Sequence, residues 1–420
     1  MIDQIHGDVL VSFVGKSRPG YKPATYRFSD GETESARFFG CAAIKVLRRQ
    51  GRPIRRWVVL GTAGSDWATI AEGAESSETN ADDAILTALE DLTTPSKEGA
   101  VTDGMLAPLE ELVSTALGIP EVRLRVVPYG RDDQEAEELS RIIDEAVAGT
   151  KTLHLDITHG LRHLPVIAIV TALGLLWSRD IQLGDLLYGA HELRTEDEIT
   201  PVFDLKSCGE IAADTARLAT YRTSGRYDVL ADAFPDHLEE LVRSAAYLEA
   251  VNRTGEARRP AAAASKSIAS IPADTPMRNA VHEAACESMA WSAGVKFVDR
   301  LRDRAAQALK RRDWMSAASL TYEAMLLAAA RMAGTNPDPL HWNDDERDLA
   351  FEWIRSTLEK KQKSVFHQSR MLRNAIVHGT RPTGIGAAEV MDSLTSPHAT
   401  EQAIQRGLEL LDELTNQSAS

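Results

Sequence analysis

Short apolar runs ending near glycine alternate with amphipathic stretches through the first half of the chain, and the alternation stops near residue 205. DVLVSFVG (8–15), RRWVVLGTAG (55–64), RLRVVPYG (123–130), TLHLDITHG (152–160) and DLLYGAHE (185–192) have strand length and composition. ESARFFGCAAIKVLRR (34–49), DAILTALEDL (83–92), QEAEELSRIIDEAV (134–147) and VIAIVTALGLLW (166–177) carry helical patterns between them. Strand and helix in alternation predict a mostly parallel sheet with helices on both faces, an α/β Rossmann-like fold. After PVFDL (201–205) the pattern predicts helices only. The Ala-, Ser- and Pro-rich stretch TGEARRPAAAASKSIASIPADTP (254–276) reads as a loop or loosely packed connector. A bundle is expected from AGVKFVDRLRDRAAQALKRRD onward, which divides the chain into an α/β domain (1–205), a helical linker region (206–290) and an all-α domain (291–420).

A chain of 420 residues exceeds the roughly 250–300 residues that one hydrophobic core usually serves, in keeping with more than one domain. The net charge of −15 argues against non-specific coating of nucleic acid, which needs a surplus of cations, so any contact with RNA is local. Two basic clusters stand out, Lys45, Arg48, Arg49, Arg52, Arg55 and Arg56 in the first half and Lys310, Arg311 and Arg312 in the second. Such runs are ordinarily solvated faces. The opening MIDQIHGDVLVSFVG is too short and wrongly flanked for a signal peptide or membrane span, which predicts a cytoplasmic protein. Cys41, Cys208 and Cys286 show no metal-ligand spacing and are expected to be reduced and structural, with no metal cofactor.

In an open α/β sheet, ligands bind where glycine-rich turns leave the carboxyl ends of strands. FVGKSRPGYKPATY (13–26), LGTAGSDW (60–67), PYGRDD (128–133) and LDITHGLRHLP (155–165) are four such exits. In the last, Asp156, Thr158, His159 and Gly160 precede a helix opening near Pro165, where Thr158 and the backbone of His159 and Gly160 are positioned to donate to phosphate or ribose oxygens. Each has a structural reading beside the functional one: Thr158 as a helix cap, His159 as a turn residue, Gly160 as a site of positive φ. No GxGxxG follows the first strand, and GTAGSDW lacks the Lys-Ser/Thr of a Walker loop.

Asp156-Ile157-Thr158-His159-Gly160 resembles the motif of the CRISPR-associated DxTHG-motif proteins, and SFVG followed by YKPATY (21–26) resembles their first strand and loop. LGTAGS and LLYGAHE resemble their further strand ends, and the likeness spans about 8–205. This resemblance implies a CARF domain, a Rossmann-like dimer that binds cyclic oligoadenylate made by type III CRISPR complexes, cyclic tetra-adenylate foremost. The candidate ligand contacts are then Gly15, Lys16, Tyr26, Gly61, Thr62, Ser65, Thr158, His159, Gly160 and Arg162. The basic insertion KSRPG (16–20) departs from the family's first loop.

Near the C-terminus, SRMLRNAIVHG (369–379) holds Arg373, Asn374 and His378, followed by Gly379 and Pro382. It resembles the Arg-x(4–6)-His motif of HEPN ribonucleases, which implies an RNA-cleaving all-α HEPN domain behind the CARF domain. On a helix, at ~100° per residue, Arg373 and His378 stand roughly 140° apart, while Asn374 and His378 share a face at i,i+4 and Asn374 is placed to orient the imidazole. Gly379 suits the end of that helix, which leaves His378 in its last turn, near the negative end of the dipole. The splay between Arg373 and His378 suggests a site shared by two copies. The combined expectation is a homodimeric endoribonuclease that cuts single-stranded RNA without a metal, His378 moving protons and Arg373 stabilising the phosphorane charge. The rival is a CARF sensor without nuclease activity that regulates transcription or a partner; a nucleotide-dependent metabolic enzyme lacks any fingerprint. Tyr322 and Glu323 read as buried polar contacts, Trp314, Trp342 and Trp353 as core or interface anchors, and the pairs Asp132/Asp133 and Asp344/Asp345 as acids at helix starts.

Overall fold

The first strand, β1 (Asp8–Val14), is apolar at nearly every position because it lies in the middle of a sheet covered on both faces. Its side chains alternate between two cores: Val9, Val11 and Phe13 enter one, Leu10 and Val14 the other. Ser12 is the polar exception, and its Oγ accepts the indole N–H of Trp57 at 3.1 Å. The computed structural model describes residues 7–16, 21–74, 81–179, 181–335 and 343–417. They form two compact units, 1–212 and 213–420.

The N-terminal unit is an eight-stranded mixed sheet. Its strands after β1 are β2 (Ala24–Arg27), β3 (Thr33–Ala36), β4 (Ile54–Gly61), β5 (Glu121–Val126), β6 (Thr152–Asp156), β7 (Gln182–Gly189) and β8 (Ile199–Asp204), in the spatial order β3-β2-β8-β7-β6-β1-β4-β5. The segment β7-β6-β1-β4-β5 is parallel throughout, whereas β8 runs antiparallel to β7 and β3 antiparallel to β2. Helices α1 (Phe39–Arg49), α2 (Ala68–Ala74), α3 (Ala81–Glu98) and α4 (Asp103–Leu117) contribute to one core, and α5 (Asp133–Ala146) and α6 (His163–Ser178) to the other. The α/β Rossmann-like expectation thus matches the structure, with one local correction. Residues 34–36, expected to begin a helix, belong to β3, because Asp30-Gly31 turns the chain back on β2 with Gly31 at φ 88°.

The C-terminal unit is helical. After α7 (Ser207–Ser224), which carries the boundary, come α8 (Asp236–Ala250), α9 (Thr254–Ile268), α10 (Pro276–Met289), α11 (Phe297–Lys310), α12 (Trp314–Met332), α13 (Asp344–Thr357), α14 (Lys360–His378), α15 (Ala387–Ser393) and α16 (Pro397–Gln417). The expected loop over 254–276 is mostly helix, α9 and the start of α10. Alanine is the strongest helix former, and Ala257, Ala261, Ala264 and Ile268 give α9 a fully buried stripe. Pro260 lies inside α9 and forfeits one backbone hydrogen bond. The segment 206–290 therefore has a core of its own, around Leu230, Val242, Ala261, Val281 and Met289, which Trp291 completes. In the second helical core α12 is buried on most sides, so it forms the centre of that bundle. Trp314 and Trp353 pack against this core, and Trp342 lies outside the described residues. No described helix is long and apolar enough to cross a membrane.

Asp214 is buried and accepts from two arginines, Arg217 at 2.8 Å and Arg278 at 2.7 Å, while Arg278 also donates to the Ala233 carbonyl. Removing one partner of a buried ion cluster leaves charge uncompensated. Arg278→Met is expected to destabilise the helical unit by about 3 kcal/mol, read as a lower urea midpoint of the full chain. An unchanged midpoint would mean that Arg217 alone satisfies the carboxylate.

Candidate ligand and catalytic sites

The exits of β1 and β6 approach so closely that both need glycine. A Cβ on Gly15 would stand 2.8 Å from the Gly160 nitrogen, and one on Gly160, at φ 96°, would stand 3.0 Å from the Phe13 Cβ. Gly15 donates its N–H to the Tyr21 hydroxyl at 3.0 Å and accepts from the Asp66 N–H at 2.8 Å. At the β4 exit, a Cβ on Gly61 would lie 2.4 Å from Val14. The hydroxyls of Thr62 and Ser65 are buried and spent on the loop: Ser65 Oγ accepts the Thr62 N–H and donates to the Val14 carbonyl. Trp67 clamps the same loop by donating to the Thr62 carbonyl.

The Asp156–Gly160 segment is likewise tied inward. Asp156 Oδ1 accepts the Thr158 N–H, and Thr158 Oγ1 accepts the Gly189 N–H at the end of β7, both at 2.9 Å. The His159 ring stacks on Phe38 at 5.4 Å, meets Tyr21 edge-on at 4.6 Å and lies 5.6 Å from His191. Its Nε2 is buried and has no partner among the described residues. Tyr26, expected at the ligand, is buried instead, with its hydroxyl 3.3 Å from His191 Nε2. Its place on β2, beside β8, turns it into the core. Lys16 and Arg162 are exposed at the strand exits, and residues 17–20 of the basic insertion lie outside the described residues. Sequence reasoning missed Tyr21, Phe38 and His191, which form the aromatic wall around His159; their spacing across three elements left no local signal.

In the helical unit, α14 ends at His378, with Gly379 in the left-handed conformation expected of its cap (φ 64°). The expected splay of Arg373 and His378 is corrected by the structure. The arginine side chain is long enough to curl along the helix, so its Nη1 donates to Asn374 Oδ1 at 2.8 Å and lies 3.4 Å from His378 Nε2. Asn374 therefore orients Arg373 rather than the imidazole. The guanidinium lies over the Tyr322 ring at 5.7 Å, and its buried Nε has no partner among the described residues. Glu323, one residue on, pairs with Arg347. A guanidinium can only donate, so contact with Arg373 leaves His378 Nε2 as an acceptor, the form that takes up a proton. Among the described residues there is no group of three His, Cys, Asp or Glu side chains able to hold a metal.

Burial, then His191, pushes the His159 pKa down to about 3 from 6.5. The unfolded chain takes up this proton first, so stability falls as pH drops through that window. Asp156 acts in the opposite sense. Burial raises its pKa to about 6 from 3.8, so the stability of its neutral form is present at low pH and lost as pH rises through about 6. Between about pH 7 and about pH 5, relative to wild type, His159→Phe is expected to gain roughly 2 kcal/mol and Asp156→Asn to lose roughly 1 kcal/mol in urea melts. Changes of one sign in both variants would contradict the assignment.

Residues 9–183 match the family model described as CRISPR system endoribonuclease Csx1, CARF domain. No curated protein matches the chain. Among solved structures, it is similar to Enterococcus italicus Csm6 bound to cyclic hexa-2'-fluoro-hexa-dAMP, at 9% identity and a TM-score of 0.42 over 97% of this chain and 94% of that one. The matched segment runs from β1 into β7 and includes the glycine-lined exits and the DxTHG residues. The chain therefore carries a CARF domain of the Csx1 kind over residues 9–183, followed by a helical region.

Proposed function

We propose that this chain is an endoribonuclease of type III CRISPR defence, activated by cyclic oligoadenylate, cyclic tetra-adenylate foremost, that cuts single-stranded RNA without a metal. The observation that carries the reading is the 3.4 Å contact of Arg373 Nη1 with His378 Nε2 at the end of α14, in a chain whose first half is a CARF domain. In this reading the helical unit does the work of a HEPN domain. His378 takes the proton of a ribose 2′-OH, whose oxygen bonds to the neighbouring phosphorus. The P–O5′ bond breaks, the 5′ oxygen leaves with a proton, and a 2′,3′-cyclic phosphate remains. Arg373, with Asn374 holding its Nη1, stabilises the charge that builds on the phosphorane.

The activator would lie across the β1, β4 and β6 exits, where the half-buried Gly160 brings its backbone within reach and Lys16 and Arg162 supply positive charge, while Gly15 and Gly61, expected at the ligand, are buried and serve the packing of the strand ends. The inward-tied hydroxyls of Thr62, Ser65 and Thr158 would hold this surface rather than touch the ligand. A ring of repeating units is bound economically by two copies facing each other. With Arg373 and His378 in contact within one chain, splay no longer argues for a shared site. What favours a homodimer is α6, which exposes an apolar stripe of Val166 (59%), Val170 (66%) and Trp177 (53%).

His378→Ala is expected to abolish cleavage of labelled single-stranded RNA in the presence of cyclic tetra-adenylate and EDTA, while leaving activator affinity within about twofold. Wild-type activity should survive EDTA, since Arg373 and His378 divide the proton transfer and charge stabilisation between them. Retained cleavage by the variant ends the assignment; activator binding by a wild-type chain that cuts no RNA would favour the non-catalytic sensor. Val170→Glu places a charge on the apolar stripe and is expected to turn the dimer into a monomer in analytical ultracentrifugation, with loss of activated cleavage.

A further inference from the structure

Beside Arg373 the helical unit holds a cleft of about 440 Å³. Its walls come from the α8–α9 corner, α11, α12, α13 and α14, so the segment after the CARF domain helps to build it. We propose that this cleft is a nucleobase subsite: it takes a base splayed out of single-stranded RNA next to the phosphate held by Arg373, and so gives the protein a preferred cleavage site. The proposal rests on the ribonuclease reading of Arg373 and His378.

The lining fits a flat, neutral, hydrogen-bonding ligand better than an anion. The volume falls in the range of roughly 300–1,000 Å³ usual for small-ligand sites. Phe297, Leu320 and Val377 supply apolar wall, and the Phe297 ring is half-buried beside the Arg300 guanidinium at 5.5 Å. Apart from Arg373, the charged side chains of the cleft come in opposite pairs, Arg253 with Glu256 and Arg347 with Glu323. Paired charges offer little to a second phosphate. The side chains of Ser319 and Asn252 make no hydrogen bond among the described residues, which leaves a hydroxyl and an amide for the edge of a base.

Asn252 reaches the cleft because it forms the corner between α8 and α9 at φ 62°. Its N–H and that of Arg253 close the corner on the Glu249 and Leu248 carbonyls. Asparagine is among the few side chains that adopt this conformation readily. Arg373 itself joins the subsite to the reacting centre, since it lines the cleft while its Nη1 faces His378. Single-stranded RNA is recognised in this manner elsewhere, by unstacked bases held on aromatic or guanidinium planes and read along their edges.

The test uses the full-length protein with cyclic tetra-adenylate and two RNA sets that differ by one base at each position, one of them 2′-O-methylated and uncleavable. Wild type is expected to bind the uncleavable set with a Kd that varies by about fivefold or more with the base at one position, the worth of one hydrogen bond. The same position should govern kcat/KM in the cleavable set. Ser319→Trp fills the cleft and Asn252→Ala removes the amide; both should flatten the preference, mainly through KM. Asn252→Ala, at an exposed corner, carries the test should the tryptophan variant fail to fold by circular dichroism. Binding and cleavage that ignore the base, or a preference that survives both substitutions, would overturn the subsite even with ribonuclease activity intact. Base-dependent binding lost in the variants, without cleavage in wild type, would keep the subsite and overturn the ribonuclease reading.

Discussion

Gly15 and Gly160 leave no space for a side chain between the ends of β1 and β6, and the architecture of the CARF domain follows from that closeness. β1 is buried on both faces, so its exit can only open at the carboxyl ends of the strands, where Lys16 is exposed and Gly160 half-buried. Gly160 accepts the left-handed backbone that this demands. Because the turn must stay narrow, nearby hydroxyls serve it: Ser65 holds the Val14 carbonyl, and Thr158 holds the Gly189 N–H. The outcome is a rigid rim of backbone with cations at its margin. Such a rim suits a ligand whose anionic groups repeat.

The helical unit solves a different problem, that of keeping polar groups ordered on an apolar scaffold. α12 is buried nearly all round, yet it supplies Tyr322 beneath the Arg373 guanidinium and Glu323 to Arg347. Burial raises the Tyr322 pKa, so the ring stays a neutral platform. Farther along, Glu249 accepts from Tyr227 and Trp291 and stands beside Arg304, which also donates to the Glu249 carbonyl and to Thr254. That network fixes the α8–α9 corner from below. The corner owes its position to buried arginine chemistry rather than to its own short sequence.

Much of the sheet was legible from its apolar runs, which are most continuous in the central strands β1 and β4, while β5, at the edge, reads as an alternation of apolar residues with Arg123 and Arg125. The β2–β3 hairpin escaped because ESARFF has helical spacing, while the signal that decides it, Asp30-Gly31, sits outside that stretch. α9 escaped for the opposite reason. Alanine and serine beside Pro260 suggest a connector by composition, and only the stripe Ala257, Ala261, Ala264, Ile268 tells helix from loop. Among site residues, the DxTHG glycine was readable as a backbone constraint. That Thr62, Ser65 and Tyr26 turn inward was not, since direction depends on partners far away in sequence. The reach of Arg373 to His378 was missed because a helical wheel places Cβ atoms, whereas a guanidinium is carried several bonds farther.

One consequence of α6 concerns abundance. The helix begins beside the strand exits, where His163 Nε2 lies 2.6 Å from the Tyr129 carbonyl, and its outer side is Val166, Val170 and Trp177. Were a second copy to cover that side, the assembled species would grow with the square of chain concentration while the protein is scarce. The same messenger level would then draw little response from a cell holding few copies and a steep one from a cell that had accumulated them, so expression itself would set the threshold for commitment.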